Sequence, residues 1–119
     1  MAARLRPAAR EEVAAARARV EAGTVAKADL KLLTKHYLAL MEAKAPGKSV
    51  EIRVPPFAAV QCIEGVRHTR GTPPAVIETD AATWISVATG TLTWDEALAA
   101  GTVRASGERT DLAQYLPLG

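Results

Sequence analysis

Arg67-His68-Thr69-Arg70-Gly71-Thr72 gathers two guanidinium groups, an imidazole and two hydroxyls within six residues. A planar guanidinium holds a carboxylate or phosphate through two parallel hydrogen bonds. Arg67, His68 and Arg70, beside the flexible Gly71, could therefore grip the acidic headgroup of a ligand. The same composition suits a solvated hairpin loop whose arginines pair with Glu64 or Glu78. The residue types alone leave both readings open.

Covalent catalysis has a weaker footing. Cys62 and His68 pair a nucleophile with a base by type only, and nothing marks a third orienting group or an oxyanion hole. Cys62 sits inside a strand pattern, where a small buried hydrophobe is the ordinary role. His36 and His68 are too few and too far apart to suggest a metal site, and neither has a cysteine or carboxylate neighbour at ligand spacing. The sequence holds no G-x-G-x-x-G run and no Walker A motif, and Gly101 to Gly107 lacks the spacing of a phosphate loop. The chemistry legible here is binding, not catalysis, with no metal and no cofactor.

The elements that position these residues are well punctuated. Pro7 and the Ala/Arg/Glu run to Ala22 predict a first helix with a thin apolar stripe of Val13, Ala16 and Val20, stopped by Gly23. A second helix runs to about Ala45, with Leu30, Leu33, Tyr37, Leu40 and Met41 on one face, and Pro46-Gly47 ends it. Val50, Ile52 and Val54 alternate with Glu51 and Arg53, as in a strand with one wet face. Ala58 to Glu64 is a less polarised strand, the pattern of a more central position. A loop spans Gly65 to Pro74, and Ala75 to Thr79 is a third strand. Asp80 can cap a helix bearing Ala81, Trp84, Ile85 and Ala88 on one face, closed by Gly90. Thr93-Trp-Asp-Glu96 has the form of a capping box for a helix with Trp94, Ala97 and Leu98 on one face, ended by Gly101. Val103 and Ala105 alternate with Arg104 as in a strand. Leu112, Tyr115 and Leu116 belong to a short helical turn that closes over something apolar.

Composition agrees with one domain. A chain of 119 residues, 49% hydrophobic and 24% charged, builds a single core and buries roughly two-thirds of its extended surface. Aromatics are only 4%, so elements approach closely and any cavity has aliphatic walls. The lone Cys62 excludes an internal disulfide. The N-terminus lacks the apolar core of a signal peptide, and no apolar run approaches a membrane span, so a cytoplasmic setting is expected. Residues 1–48 carry ten Lys or Arg against five Asp or Glu, and residues 49–119 carry five against eight. That asymmetry either favours acidic partners or is a solubilising helical face. No nucleic-acid partner is expected.

Thr79-Asp80, Trp84, Ala88-Thr89-Gly90, Leu92, Ala97, Gly101, Val103 and Ser106-Gly107 together resemble the C-terminal half of sterol carrier protein 2-like domains. Upstream, Pro46-Gly47, Val50 to Pro56, Ala59 to Cys62 and Arg67 to Pro74 are similar to small bacterial, largely actinobacterial, sterol carrier orthologues. The resemblance runs from about Leu30 to the end of the chain. It implies an α+β fold, a small and mostly antiparallel sheet of four to five strands covered by helices. One such domain over residues 1–119 is expected, with 1–26 as a helical N-terminal extension.

Two functional readings follow. In the first, the chain carries a fatty-acyl or other apolar small molecule between sheet and helices. The wall positions are then Trp84, Ile85, Val87, Leu92, Trp94, Leu98, Val103, Leu112, Tyr115 and Leu116, with burial contributing about 0.8 kcal/mol per methylene. In the second, the core is closed and the chain is an interaction module or homodimer, paired through a sheet edge or the N-terminal helices. A movable C-terminal tail favours the carrier and a tightly docked tail favours the module.

The capping box is open to direct test. Thr93→Ala should cost about 1 kcal/mol by orphaning a backbone N–H, and Thr91→Ala, outside the cap, should cost much less. Urea unfolding of the two variants checks the difference.

Overall fold

The computed structural model describes residues 5–65, 75–107 and 110–119. Within them run α1 (Arg10–Glu21), α2 (Lys27–Lys44), β1 (Val50–Val54), β2 (Ala58–Cys62), β3 (Ala75–Thr79), α3 (Ala81–Thr89), α4 (Trp94–Ala100), β4 (Val103–Ser106) and a 3-10 turn at Ala113–Tyr115. The fold is α+β, as expected. Its four strands lie in the order β2-β1-β3-β4. β1 is antiparallel to β2, β3 is antiparallel to β4, and the central pair β1–β3 is parallel.

The strand order corrects one expectation. β2 lies at an edge of the sheet, and β1 takes the central place beside it. The apolar look of residues 58–64 came from Ala58 and Ala59, which are half-buried and exposed, and from Ile63, which lies past the strand. β1 separates β2 from β3, which therefore do not pair with each other.

One face of the sheet is dry. Val50, Ile52 and Val54 of β1, Val60 and Cys62 of β2, Ala75 and Ile77 of β3 and Val103 of β4 are buried in a core shared with the helices. The opposite face is wet and its charges alternate. Arg53 pairs with Glu51 of its own strand, and the register sets Arg53 beside Glu78 and Glu78 beside Arg104. Opposite charges directly across strands stabilise a sheet where like charges would not.

The helices begin and stop where the local chemistry dictates. Asp80 Oδ1 accepts the Thr83 N–H at 2.8 Å, and Gly90 closes α3 at φ 89°. The Thr93–Glu96 capping box is complete, with bonds of 3.0 and 3.1 Å in the two directions, and Gly101 closes α4 at φ 74°. α2 buries a broader arc than its apolar stripe predicts. Thr34 and Leu38 are buried as fully as Leu33, Tyr37 and Met41, whereas Leu30 and Leu40 are half-buried. The reason is that α2 packs against α1, α3 and β2 together, so more of its circumference is covered.

The junction after α2 is the tightest point. Ile63 N–H donates to the Ala45 carbonyl at 2.6 Å. Its own carbonyl accepts both the Ser49 N–H at 3.0 Å and the Ser49 hydroxyl at 2.6 Å. Ile63 holds φ 65°, a strained value for a β-branched residue. A Cβ on Gly47, at φ 154°, would stand 2.2 Å from the Ile63 carbonyl carbon. Gly47→Ala should therefore cost about 3 kcal/mol or more in urea unfolding. Gly23→Ala also places a side chain at positive φ but meets nothing within 4 Å, and should cost only about 1 kcal/mol.

Candidate functional site

The turn from α3 to α4 and the C-terminal tail enclose a cleft of about 260 Å³, lined by Val87, Gly90, Leu92, Thr93, Trp94, Asp95, Ala113, Leu116 and Pro117. Its geometry follows from the caps. Gly90 and Thr93 fix the ends of the two helices, which leaves Leu92 half-buried between them and aims the buried Trp94 inward from the first turn of α4. A Cβ on Gly90 would meet the Pro117 ring at 3.3 Å, so the tail lies close over the turn. The indole N–H of Trp94 is buried and has no hydrogen-bond partner among the described residues, an arrangement that costs about 1–3 kcal/mol of desolvation.

The tail over this cleft is fastened at several points. Leu112 is fully buried. Lys44 Nζ donates to the Tyr115 carbonyl at 2.7 Å, and the Leu118 N–H donates to the Ala88 carbonyl at 2.7 Å. The Gly119 oxygen accepts from Arg17 Nη1 at 2.8 Å and from the Tyr37 hydroxyl at 3.3 Å.

The wall positions read from the sequence separate into groups. Val87, Leu92, Trp94 and Leu116 meet at this cleft. Ile85 lines a different cleft of about 210 Å³ with Arg17, Val20 and Leu33, on the side of α3 that faces α1. Trp84, Val103 and Leu112 are core residues, and the Trp84 indole N–H donates to the Thr34 carbonyl at 3.3 Å. Tyr115 is half-buried in the tail, while Leu98 is 43% exposed. Gly90, Ala113 and Pro117 join the lining although nothing in their residue types pointed there; only the path of the tail brings them in. Arg67, His68 and Arg70 lie outside the described residues.

The described residues of sheet and helices share one apolar cluster, in which Ile52, Ile77, Tyr37 and Trp84 are at most 1% exposed. Cys62 belongs to it, and burial, reinforced by the Glu42 carboxylate, pushes its thiol up to about 12. The neutral thiol is a poor nucleophile. His36 accepts the Ala8 N–H on Nδ1 at 3.0 Å, and burial holds its pKa below the ordinary imidazole value. Among the described residues no group of three His, Cys, Asp or Glu side chains could hold a metal ion. None of their helices is long and apolar enough to cross a membrane.

Residues 26–118 match the family described as bacterial SCP ortholog, and the chain belongs to that family. The match begins at Ala26, immediately before α2, so α1 lies outside it. The α+β architecture, with a mixed four-stranded sheet, is consistent with a sterol-carrier-like fold. No curated protein matches the chain.

The buried thiol gives a direct check on the catalytic reading. Cys62 should resist a thiol-reactive disulfide reagent at pH 8 in the native protein and react at once after unfolding. A folded pKa raised from 9.0 to about 12 means that this group stabilises the fold below pH 9. That contribution is lost as pH rises through the interval, because only the unfolded chain then releases the proton readily. Rapid labelling of the native protein would contradict the burial of Cys62.

Proposed function

We propose that the protein is a noncatalytic carrier of a fatty-acyl or other apolar small molecule, held beneath the C-terminal tail against α3 and α4. The observation that carries this reading is the convergence of Val87, Leu92, Trp94 and Leu116 on one cleft, in a chain that belongs to a sterol-carrier-type family. On the tail side, apolar walls from Val87, Leu92 and Leu116 face an opening, which supports a ligand there. Small-molecule sites usually span about 300 to 1,000 Å³, so a cleft of about 260 Å³ accepts the end of an acyl chain while the tail is down. A longer segment requires the tail to lift. Arg67, His68 and Arg70 are the proposed partners of an acidic headgroup.

A closed interaction module is the second reading. The packed sheet–helix interface and the several fastenings of the tail favour it, and β2 and β4 offer sheet edges for pairing with a second copy.

Trp94 is a natural reporter, because it lines the cleft whereas Trp84 lies in the core. Titration with a single-chain fatty acid should change tryptophan emission saturably, at one ligand per chain. The change should vanish in Trp94→Phe and be blocked in Leu92→Trp, which fills an open cleft with little loss of stability. Native mass spectrometry after gentle purification should show the bound lipid as added mass. A protein with no saturable response and no added mass, sedimenting as a dimer, would instead be the closed module.

A further inference from the structure

We infer that α1 is a latch on the C-terminal tail, and that Arg17 and Tyr37 are the residues that position the tail over the cleft. The inference rests on the carrier reading for its functional meaning, though the latch itself is a property of the fold.

The tail is fastened unequally along its length. At its start Leu112 is wholly buried, and an apolar anchor of that size resists removal. Towards its end Leu116 and Leu118 are only half-buried against the core, and polar fastenings are added. They are the Leu118 amide on Ala88 and the Gly119 oxygen shared by Arg17 of α1 and Tyr37 of α2. The Arg17 bond is exposed, and contacts of that kind contribute little individually against water. Leu116 and Pro117, which cover the cleft, lie between the apolar anchor and the polar end. Freeing Gly119 removes the outermost fastening and leaves the covering residues held by Lys44 on the Tyr115 carbonyl and the Leu118 amide on Ala88, so they loosen without unpacking the core.

Arg17 can hold the tail only while α1 is docked, and α1 is lightly held. Ala16 is its one fully buried residue. Val13 and Val20 are half-buried against the core. A bidentate pair from Arg19 to Asp29, at 2.8 and 2.9 Å, ties its last turn to the first turn of α2. The Ala8 amide on His36 ties the segment before it. Elements with so few buried contacts open locally long before the whole domain unfolds. Loss of α1 therefore removes Arg17 from Gly119 and weakens the cover of the cleft. Because α1 stands outside the family match, the tail of a sterol-carrier-type domain is governed here by an added element.

Hydrogen exchange by mass spectrometry on the full chain tests the latch without any ligand. Arg17→Ala should speed exchange of the peptide bearing the Leu118 amide by about fivefold, the loss of one ordinary hydrogen bond. Asp29→Asn, which touches only the docking of α1, should speed exchange in both α1 and the tail. Arg10→Ala, at a side chain without a partner among the described residues, should change neither. Unchanged tail protection in Arg17→Ala, or a freed α1 over a fully protected tail in Asp29→Asn, would overturn the latch. Stopped-flow uptake of a single-chain fatty acid, read by Trp94, should be faster in Arg17→Ala than in the native chain. A loosened tail with no fatty-acid uptake in any variant overturns the carrier reading and with it the gating role of α1.

Discussion

The close approach between the loop after α2 and the end of β2 is the constraint on which the rest of the molecule depends. Ile63 bonds Ala45 at the end of α2 and Ser49 at the entrance to β1, and the Ser49 carbonyl accepts the Ala75 amide at the entrance to β3. One small junction thus joins the end of α2, the end of β2 and the starts of β1 and β3. Glycine at 47 makes the approach geometrically accessible, and the hydrogen bonds hold Ile63 in a backbone conformation it would not adopt alone. With Ser49 joined to Ala75, β1 and β3 run parallel from a common origin, and β2 is left at the edge.

Above this sheet the core follows from a shortage of aromatic side chains. Alanine lets helices and sheet come close, and the few large residues settle where they are needed most. Tyr37 and Trp84 are fully enclosed, and the Trp84 N–H bonds the Thr34 carbonyl and so ties α3 to α2. The Thr34 hydroxyl, in the same region, is buried without a partner among the described residues, as is the Trp94 indole N–H. A core that leaves polar atoms unsatisfied gives up stability. In the case of Trp94 the unsatisfied atom belongs to a residue that lines the cleft.

Stability is graded outward from that core. The sheet and α2 hold their places by burial, whereas the end of the tail meets α1 through the exposed Arg17–Gly119 hydrogen bond. Burial of large apolar side chains and a few solvent-facing hydrogen bonds differ several-fold in strength.

Local rules decided much of this from the sequence alone. Asp80, Gly90, Thr93, Glu96 and Gly101 mark the ends of α3 and α4 because capping bonds and left-handed stops involve only residues a few positions apart. Alternation at Val50, Ile52 and Val54 identified the dry face of β1 for the same reason. The α+β class and the family followed from those elements in order. Tertiary structure alone decided that β2 is an edge, that Thr34 and Leu38 are buried on α2, and that Leu98 faces water although it is one position from Ala97. It also decided that the tail crosses α3 to reach Arg17 and Tyr37, gathering Pro117 and Ala113 at the cleft. Each of these depends on segments far apart in the chain meeting at once, and no side-chain period carries that information.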